Sequence, residues 1–252
     1  KIFGLLCEIW LMLWLNIRVD YIWRKGYLKK HGLYWFGWLT LSVIAGIVVW
    51  TFPWSDIDHS TAISIFLISW FGYYIALAIF FRLRFFEFLW NKFGRAKTIM
   101  IFEPMLAIMF LGFMIGFGAL VENTAGQGPS IHEFVGSALV IQVVAVVLWV
   151  IGYIFKTWAT WLIGMDIFFF HDQILRTPGE RLVKSRLYNY FTHPTYSVGY
   201  LGVYAYPLWK DTLYGLAGGL FLHIGIFLFV KLAEEPGMRE LYMNDEKKEP
   251  TS

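Results

Sequence analysis

Charge is what this chain has little of. Only 15% of its 252 residues are Asp, Glu, Lys or Arg, where a soluble domain carries about a quarter. Cysteine is almost missing too. The single Cys7 excludes an intramolecular disulfide and a multi-cysteine metal centre, and its apolar surroundings read as those of a small packed hydrophobe. No G-x-G-x-x-G, P-loop, H-x-x-H or H-E-x-x-H string occurs, so no phosphate-cradling loop and no zinc-type ligand pair is legible. His171, His193 and His223 are irregularly spaced, and no metal is expected. The formal net charge is only +3, and the basic residues cluster beside apolar runs, which argues against a nucleic-acid partner.

What is present is apolar and aromatic. Hydrophobic residues make up 58% and aromatics 20% of the chain, with a mean hydropathy of +0.56. One soluble core of this size cannot bury that much apolar surface, so the bilayer has to be part of the solvent. Trp and Tyr favour membrane interfaces, and their abundance agrees. A span needs about 20 mostly apolar residues. Candidates are Ile2–Ile17, Leu33–Phe52, Ala62–Phe81, Thr98–Val121, Phe134–Phe155 and Leu213–Val230. The first run begins directly after Lys1, an N-terminus expected to be truncated, and shows no small-residue cleavage pattern before Arg18.

Loop charges alternate. Arg18, Arg24, Lys25, Lys29 and Lys30 follow the first run, Arg82, Arg84, Lys92, Arg95 and Lys97 the third, and Lys156, Arg176, Arg181, Lys184 and Arg186 the fifth. Asp56, Asp58, Glu122 and Glu133 occupy the intervening loops. The positive-inside rule then places the N-terminus outside and the C-terminus in the cytoplasm. The expected fold is an all-α integral membrane bundle of roughly six to eight transmembrane helices. It divides into N-terminal spans (1–155), a C-terminal functional region (156–243) and a disordered tail (244–252).

Within 156–243 the pattern changes. Trp158–Phe170 reads as an interfacial or partly inserted helix, with His171 and Asp172 at a solvated helix end. Tyr196–Trp209 is too short to cross alone; with Leu213–Val230 it forms a helical hairpin turning at Lys210 and Asp211. Polar motifs bracket this hairpin: Thr192-His193-Pro194-Thr195-Tyr196-Ser197-Val198-Gly199 before it, Glu234-Glu235-Pro236 after it. A chain that enters and returns brings its ends together, so His193, Tyr196 and the acidic pair converge. Adjacent carboxylates beside an apolar span demand a cationic or hydrogen-bonding partner. Gly199 and Gly202 permit close approach of a neighbouring helix or a flat ligand. Glu103, beside Pro104 within a span, reads equally well as a functional group or as one facing the headgroups. His223 reads as a satisfied packing histidine.

His193-Pro194-x-Tyr196-x-x-Gly199, followed one hairpin later by Glu234-Glu235 and Leu241, resembles the isoprenylcysteine carboxyl methyltransferase and phospholipid methyltransferase superfamily. Glu-Glu-Pro and the string Tyr196–Gly202 are most similar to phosphatidylethanolamine N-methyltransferases. Thr192 stands where the family has Arg, and Val198 displaces the Gly by one residue. The resemblance implies a hairpin pocket for S-adenosylmethionine bounded by His193, Pro194, Tyr196, Gly199, Tyr200, Gly202, Glu234 and Glu235. It implies methyl transfer to a membrane lipid amine, that of phosphatidylethanolamine or its mono- or dimethyl derivative, the lipid entering laterally from the bilayer. Glu234, His193 and Glu103 are the candidate proton acceptors. Arg186, His171 and Tyr204 are the candidate substrate contacts, and Arg186 or Lys184 is a candidate to replace the missing Arg.

The expected location is the endoplasmic reticulum or a bacterial inner membrane, with the site facing the cytoplasm. Alternatives are methylation of a prenylcysteine carboxylate or a small thiol, an NADPH-dependent sterol-reductase-like enzyme, and a scaffold or transporter without catalysis.

Overall fold

The computed structural model describes Ile47 and residues 51–83, 85–163, 165–176, 190, 191 and 193–246. Among these no strand occurs, and the all-α class expected from composition is what the chain adopts. The α-helices of five residues or more are α1 (His59–Arg82), α2 (Phe85–Phe93), α3 (Arg95–Thr124), α4 (Ile131–Val135), α5 (Ala138–Ile163), α6 (His171–Leu175), α7 (Ala205–Trp209), α8 (Leu213–Phe229) and α9 (Glu235–Glu246). A 3-10 segment, Val198–Tyr204, leads into α7, and a π-turn, Val230–Glu234, joins α8 to α9.

Four stretches are long and apolar enough to cross a membrane: His59–Arg82, Arg95–Thr124, Ala138–Ala159 and Leu213–Leu241. The protein is therefore a multi-pass membrane protein. Three expected spans, Ala62–Phe81, Thr98–Val121 and Leu213–Val230, lie inside these helices. The fourth, Phe134–Phe155, is corrected. Gly136 takes a left-handed conformation (φ 80°) that ends α4, a position glycine fills without strain. The long helix begins only at Ala138 and runs on to Ile163, absorbing the start of the expected interfacial helix at Trp158. The two N-terminal runs, apart from Ile47, Thr51 and Phe52, lie outside the described residues.

Half of the most apolar window of α3 is buried, against 17% for α5, so α3 is the central helix and α5 is peripheral. α1 lies along α3, α8 leans on α3, and the 3-10 segment with α7 packs on α5. Glycines set these approaches, since helices in lipid associate through close packing rather than through hydrophobic exclusion from water. A Cβ on Gly116 would fall 1.9 Å from Ser69 Oγ, one on Gly225 2.0 Å from Trp70 Cζ2, and one on Gly218 2.5 Å from Leu120 Cδ2. Around them Phe66, Trp70, Tyr74, Phe113, Phe117 and Phe229 form an aromatic core.

One end of the bundle is tied by polar contacts. Asp58 caps α1 by accepting from the Thr61 amide at 2.9 Å. Hydrogen bonds from Ser60 and Thr61 hold its carboxyl well below the usual range. Asn123 Nδ2 donates to the Trp54 carbonyl at 3.1 Å, and Lys210 Nζ lies 2.7 Å from Glu122 Oε2. The turn into α8 needs Asp211 in a left-handed conformation (φ 54°), which Asp tolerates better than most residues. Thr212 then caps α8, accepting from the Gly215 amide at 3.2 Å.

The opposite end gathers the basic residues Arg82, Lys92, Arg95 and Lys97, the exit of α5 and the π-turn. Arg82 Nη2 donates to the Leu232 carbonyl at 2.7 Å. A π-turn misaligns the regular backbone ladder, and the guanidinium satisfies one of its carbonyls. α9 continues to Glu246; of the expected disordered tail, 247–252 lie outside the described residues.

Candidate functional site

At the basic end three pieces of chain meet: the turn after His193, the start of α9, and α6. The turn is built on one carbonyl. His193 O accepts from Tyr196 N at 3.0 Å, Ser197 N at 2.9 Å and Ser197 Oγ at 2.9 Å. Buried Pro194 presents its own carbonyl to Gly199 N at 2.9 Å. His193 is thereby fixed at the mouth of the segment that leads into α7.

Its ring reaches across to the acidic pair. His193 Nε2 lies 3.0 Å from Glu235 Oε1, and Arg239 Nη2 lies 3.6 Å from the other Glu235 oxygen. The π-turn aims Glu234 elsewhere. It accepts from the Tyr196 hydroxyl and lies close enough to Asp172 for the two carboxylates to repel. The second oxygen of Glu234, Oε2, is buried with no hydrogen-bond partner among the described residues.

α6 closes the third side. Phe170 and Arg176 both take positive φ, 61° and 50°, and so bend the chain sharply before and after this five-residue helix. His171 Nε2 is brought within 3.1 Å of Glu103 Oε1. Asp172 and Gln173 are buried at 4% and 7% exposure. The expectation of a solvated helix end at His171 and Asp172 is thus corrected: two left-handed turns fold this polar segment back against α3 and α9. Glu103 faces His171 rather than the headgroups. Pro104 beside it has no amide for the Met100 carbonyl, which loosens α3 at that level.

The remaining expected residues fall as follows. The Tyr200 hydroxyl accepts from Tyr74, and Lys156 Nζ stands 5.9 Å from the Tyr200 ring centroid. Tyr204 points away from the acidic pair, its hydroxyl 2.8 Å from His223 Nδ1. His223 Nε2 lies 3.0 Å from the Tyr196 carbonyl. A carbonyl only accepts, so Nε2 carries the hydrogen and Nδ1 accepts from the Tyr204 hydroxyl. His223 therefore has both nitrogens satisfied. Gly199 is a helix contact: its Cβ would sit 3.1 Å from Lys156 Cα. Gly152 presses on Gly202, since a Cβ there would fall 2.4 Å from Gly202 N. The far side of Gly202 is open, with nothing within 4 Å of an added Cβ. Arg186, Lys184 and Thr192 lie outside the described residues.

Three contributors were missed by sequence reasoning. Gln173 gave no signal in a short polar stretch. Arg82 looked like an ordinary loop cation. Lys156 looked like the first residue of a basic loop, yet it lies on α5 against the Gly199 backbone. A groove of roughly 570 Å³ lies at the opposite end of the bundle, among His59, Phe66, Leu120, Thr124, Tyr214 and Phe221. It shares no residue with this site.

The fold and site define an all-helical membrane protein with a carboxylate-rich, aromatic-walled polar cluster at one membrane face. Residues 140–245 match the family model described as phospholipid methyltransferase. Among curated proteins, the phosphatidylethanolamine N-methyltransferase of Kluyveromyces lactis is 33% identical over 87 residues, covering 34% of this chain and 9% of the relative. That of Lachancea thermotolerans is 34% identical over 84 residues, covering 32% and 9%. The chain thus spans only about a tenth of the length of these curated relatives. No solved structure matches. The stretch similar to that family, 140–245, contains most of the site described above.

Proposed function

We propose that this protein transfers a methyl group from S-adenosylmethionine to the amine of a membrane phospholipid, either phosphatidylethanolamine or its mono- or dimethyl derivative. The observation that carries this reading is the meeting of the two motifs. His193 and Glu235, 42 residues apart, are joined at 3.0 Å, and Tyr196 is bonded to Glu234 beside them, all inside the matched stretch. The relatives' names supply the reaction class and the lipid.

The residues fit the cofactor. S-adenosylmethionine carries an ammonium and a sulfonium; carboxylates and aromatic faces attract both. Glu235, Tyr196 and Tyr200 offer these groups, and the unpartnered Glu234 Oε2 marks a place where a donor or cation is wanted. When bound, the cofactor supplies an electrophilic methyl on sulfur. Glu235, steadied by His193 and Arg239, holds its amino-acid end. The open side of Gly202 gives a flat group room beside the hairpin.

The chain's remaining task is to hold a neutral amine in line and to exclude water. One proton must leave the lipid ammonium. Of the three candidate bases, Glu103 already faces His171 and His193 already faces Glu235. Glu234 keeps one oxygen open, and we assign the proton to it. A carboxylate acceptor is disfavoured because Glu103, Asp172, Glu234 and Glu235 crowd the same place. Since the site lies at the basic end of the bundle, it faces the cytoplasm, in the endoplasmic reticulum of a eukaryote or the inner membrane of a bacterium.

The test is transfer of radiolabelled methyl from S-adenosylmethionine into a total lipid extract by the purified protein, beside Glu235→Gln. Label in methylated ethanolamine lipids, lost in the variant, is expected. Cofactor binding without labelled lipid would sink the proposed acceptor, and absence of cofactor binding would sink the reaction.

A further inference from the structure

Gln173 is at least nine-tenths buried, at 7% exposure, and its carbonyl oxygen has no hydrogen-bond partner among the described residues. A buried acceptor left unpaired has given up its water without replacement, so a position like this is expected to be filled by a ligand donor. The oxygen is aimed at the first turn of α9. A Cβ on Gly237 would come within 3.0 Å of it, a close approach that glycine permits. Gly237 lies three residues beyond Glu234, on neighbouring positions of one helical surface. Glu234 Oε2, at the same end, is also buried with no hydrogen-bond partner among the described residues. Asp172, next to Gln173, is the residue whose carboxylate repels Glu234. Two unpaired acceptors, one from a carboxyl group and one from an amide, thus flank the same turn.

We infer that Gln173 and Glu234 together seat the amine of the acceptor lipid, and that Gln173 selects amines that still carry an N–H after deprotonation. This rests on the amine-methylation reading above and names the residue that would set its specificity. The chemistry balances as follows. One N–H bond of the lipid ammonium breaks, its electron pair stays on nitrogen, and the proton goes to Glu234 Oε2. The nitrogen–carbon bond forms as the carbon–sulfur bond breaks, and sulfur leaves as a neutral thioether. A primary or monomethylated amine keeps an N–H that donates to Gln173 throughout, turning the lone pair toward the incoming methyl. A dimethylated amine, once deprotonated, has no N–H left, so Gln173 contributes nothing to orienting it.

The test compares wild type with Gln173→Met, which keeps length and volume but removes the acceptor, and with Gln173→Glu, which keeps an acceptor. Labelled methyl transfer is measured on vesicles containing phosphatidylethanolamine, its monomethyl or its dimethyl form. Calorimetry on the purified protein measures binding of S-adenosylmethionine and, separately, of dihexanoyl phosphatidylethanolamine. Gln173→Met is expected to lower kcat/KM for the primary and monomethyl lipids about tenfold, as for one hydrogen bond to a charged or polarised donor. The dimethyl lipid should change less than about twofold, cofactor affinity should hold, and Gln173→Glu should restore most of the loss. An equal loss on all three lipids would overturn the inference, as would weakened cofactor binding with acceptor kinetics intact. If wild type methylates no amine lipid, the reaction reading fails; the seat survives only if dihexanoyl phosphatidylethanolamine still binds and Gln173→Met weakens that binding.

Discussion

Glu235 Oε1 and His193 Nε2 stand 3.0 Å apart across 42 residues of chain, and this contact ties the exit helix to the segment that enters the membrane. Both side chains are about a quarter exposed, each at 26%, so the contact is reachable by a ligand rather than sealed in the core. Glu235→Gln keeps the hydrogen-bonding shape and removes the charge. Affinity for S-adenosylmethionine should fall at least tenfold, as expected when a charge-assisted bond is lost. Calorimetric titration of the purified protein checks this, and unchanged affinity would remove Glu235 from the cofactor site.

Arg82 acts at a distance from the chemistry. Its guanidinium donates to the Leu232 carbonyl inside the π-turn, which sets how Glu234 and Glu235 diverge. Arg82→Met should cost about 1 kcal/mol of stability, the lower range for such a bond because the arginine is exposed. It should reduce kcat more than it raises cofactor Kd. A variant with normal turnover would show that the π-turn holds without this donor.

Gly225 lies where α8 crosses α1. A methyl there would fall 2.0 Å from Trp70 Cζ2, and neither helix has slack at that level, since Trp70 packs on Tyr74 and Phe221. Gly225→Ala should destabilise by roughly 1–3 kcal/mol. Pairing it with Trp70→Phe should recover part of that loss. Thermal unfolding of the four variants in detergent gives the coupling, and strictly additive losses would contradict the steric account.

The far end of the molecule carries a pH-dependent tie. The His132 amide donates to Asp211 Oδ1 at 2.9 Å, and the His132 ring meets the other Asp211 oxygen. Hydrogen bonding to Asp211 raises the His132 ring above its ordinary 6.5. Partial burial pushes Asp211 up, but the bonds from the His132 ring and amide prevail and hold it below 3.8. The raised histidine contributes stability that is whole below pH 6.5 and is lost as pH rises through its folded value. The lowered aspartate contributes above pH 3.8 and loses its contribution as pH falls through its folded value. The tie is therefore strongest between those two ordinary values. Asp211→Asn keeps the tolerance for positive φ and removes the charge. Its Tm deficit against wild type should be greatest near pH 5 to 6 and shrink above neutrality; a pH-independent deficit would argue against the ion pair.

Much of this architecture is legible in the order of residues. Ala62–Phe81, Thr98–Val121 and Leu213–Val230 fall inside real helices because unbroken apolar runs of that length have one good solution in lipid. His193, Tyr196, Glu234 and Glu235 stand out as two motifs, and the turn at Lys210 and Asp211 explains why motifs so far apart end side by side. What misleads is local. Gly136 shifts the start of α5, and the positive-φ turns at Phe170 and Arg176 turn an apparently solvated segment into a buried one. Left-handed conformations at Phe and Arg leave no mark in a sequence, because neither residue favours them.

By itself the sequence determined that this chain lives in a bilayer, that it is helical, and that its two polar motifs sit in the C-terminal third. Those are consequences of hydropathy, of the need to satisfy backbone groups without water, and of residue types at a recognisable spacing. Only the tertiary structure decided how the carboxylates are divided: Glu235 to His193, Glu103 to His171, Glu234 to Tyr196 with one oxygen left over. The division follows from one π-turn and one five-residue helix set between two left-handed residues, each a local backbone detail. Packing against distant segments sets such details; local sequence preference does not.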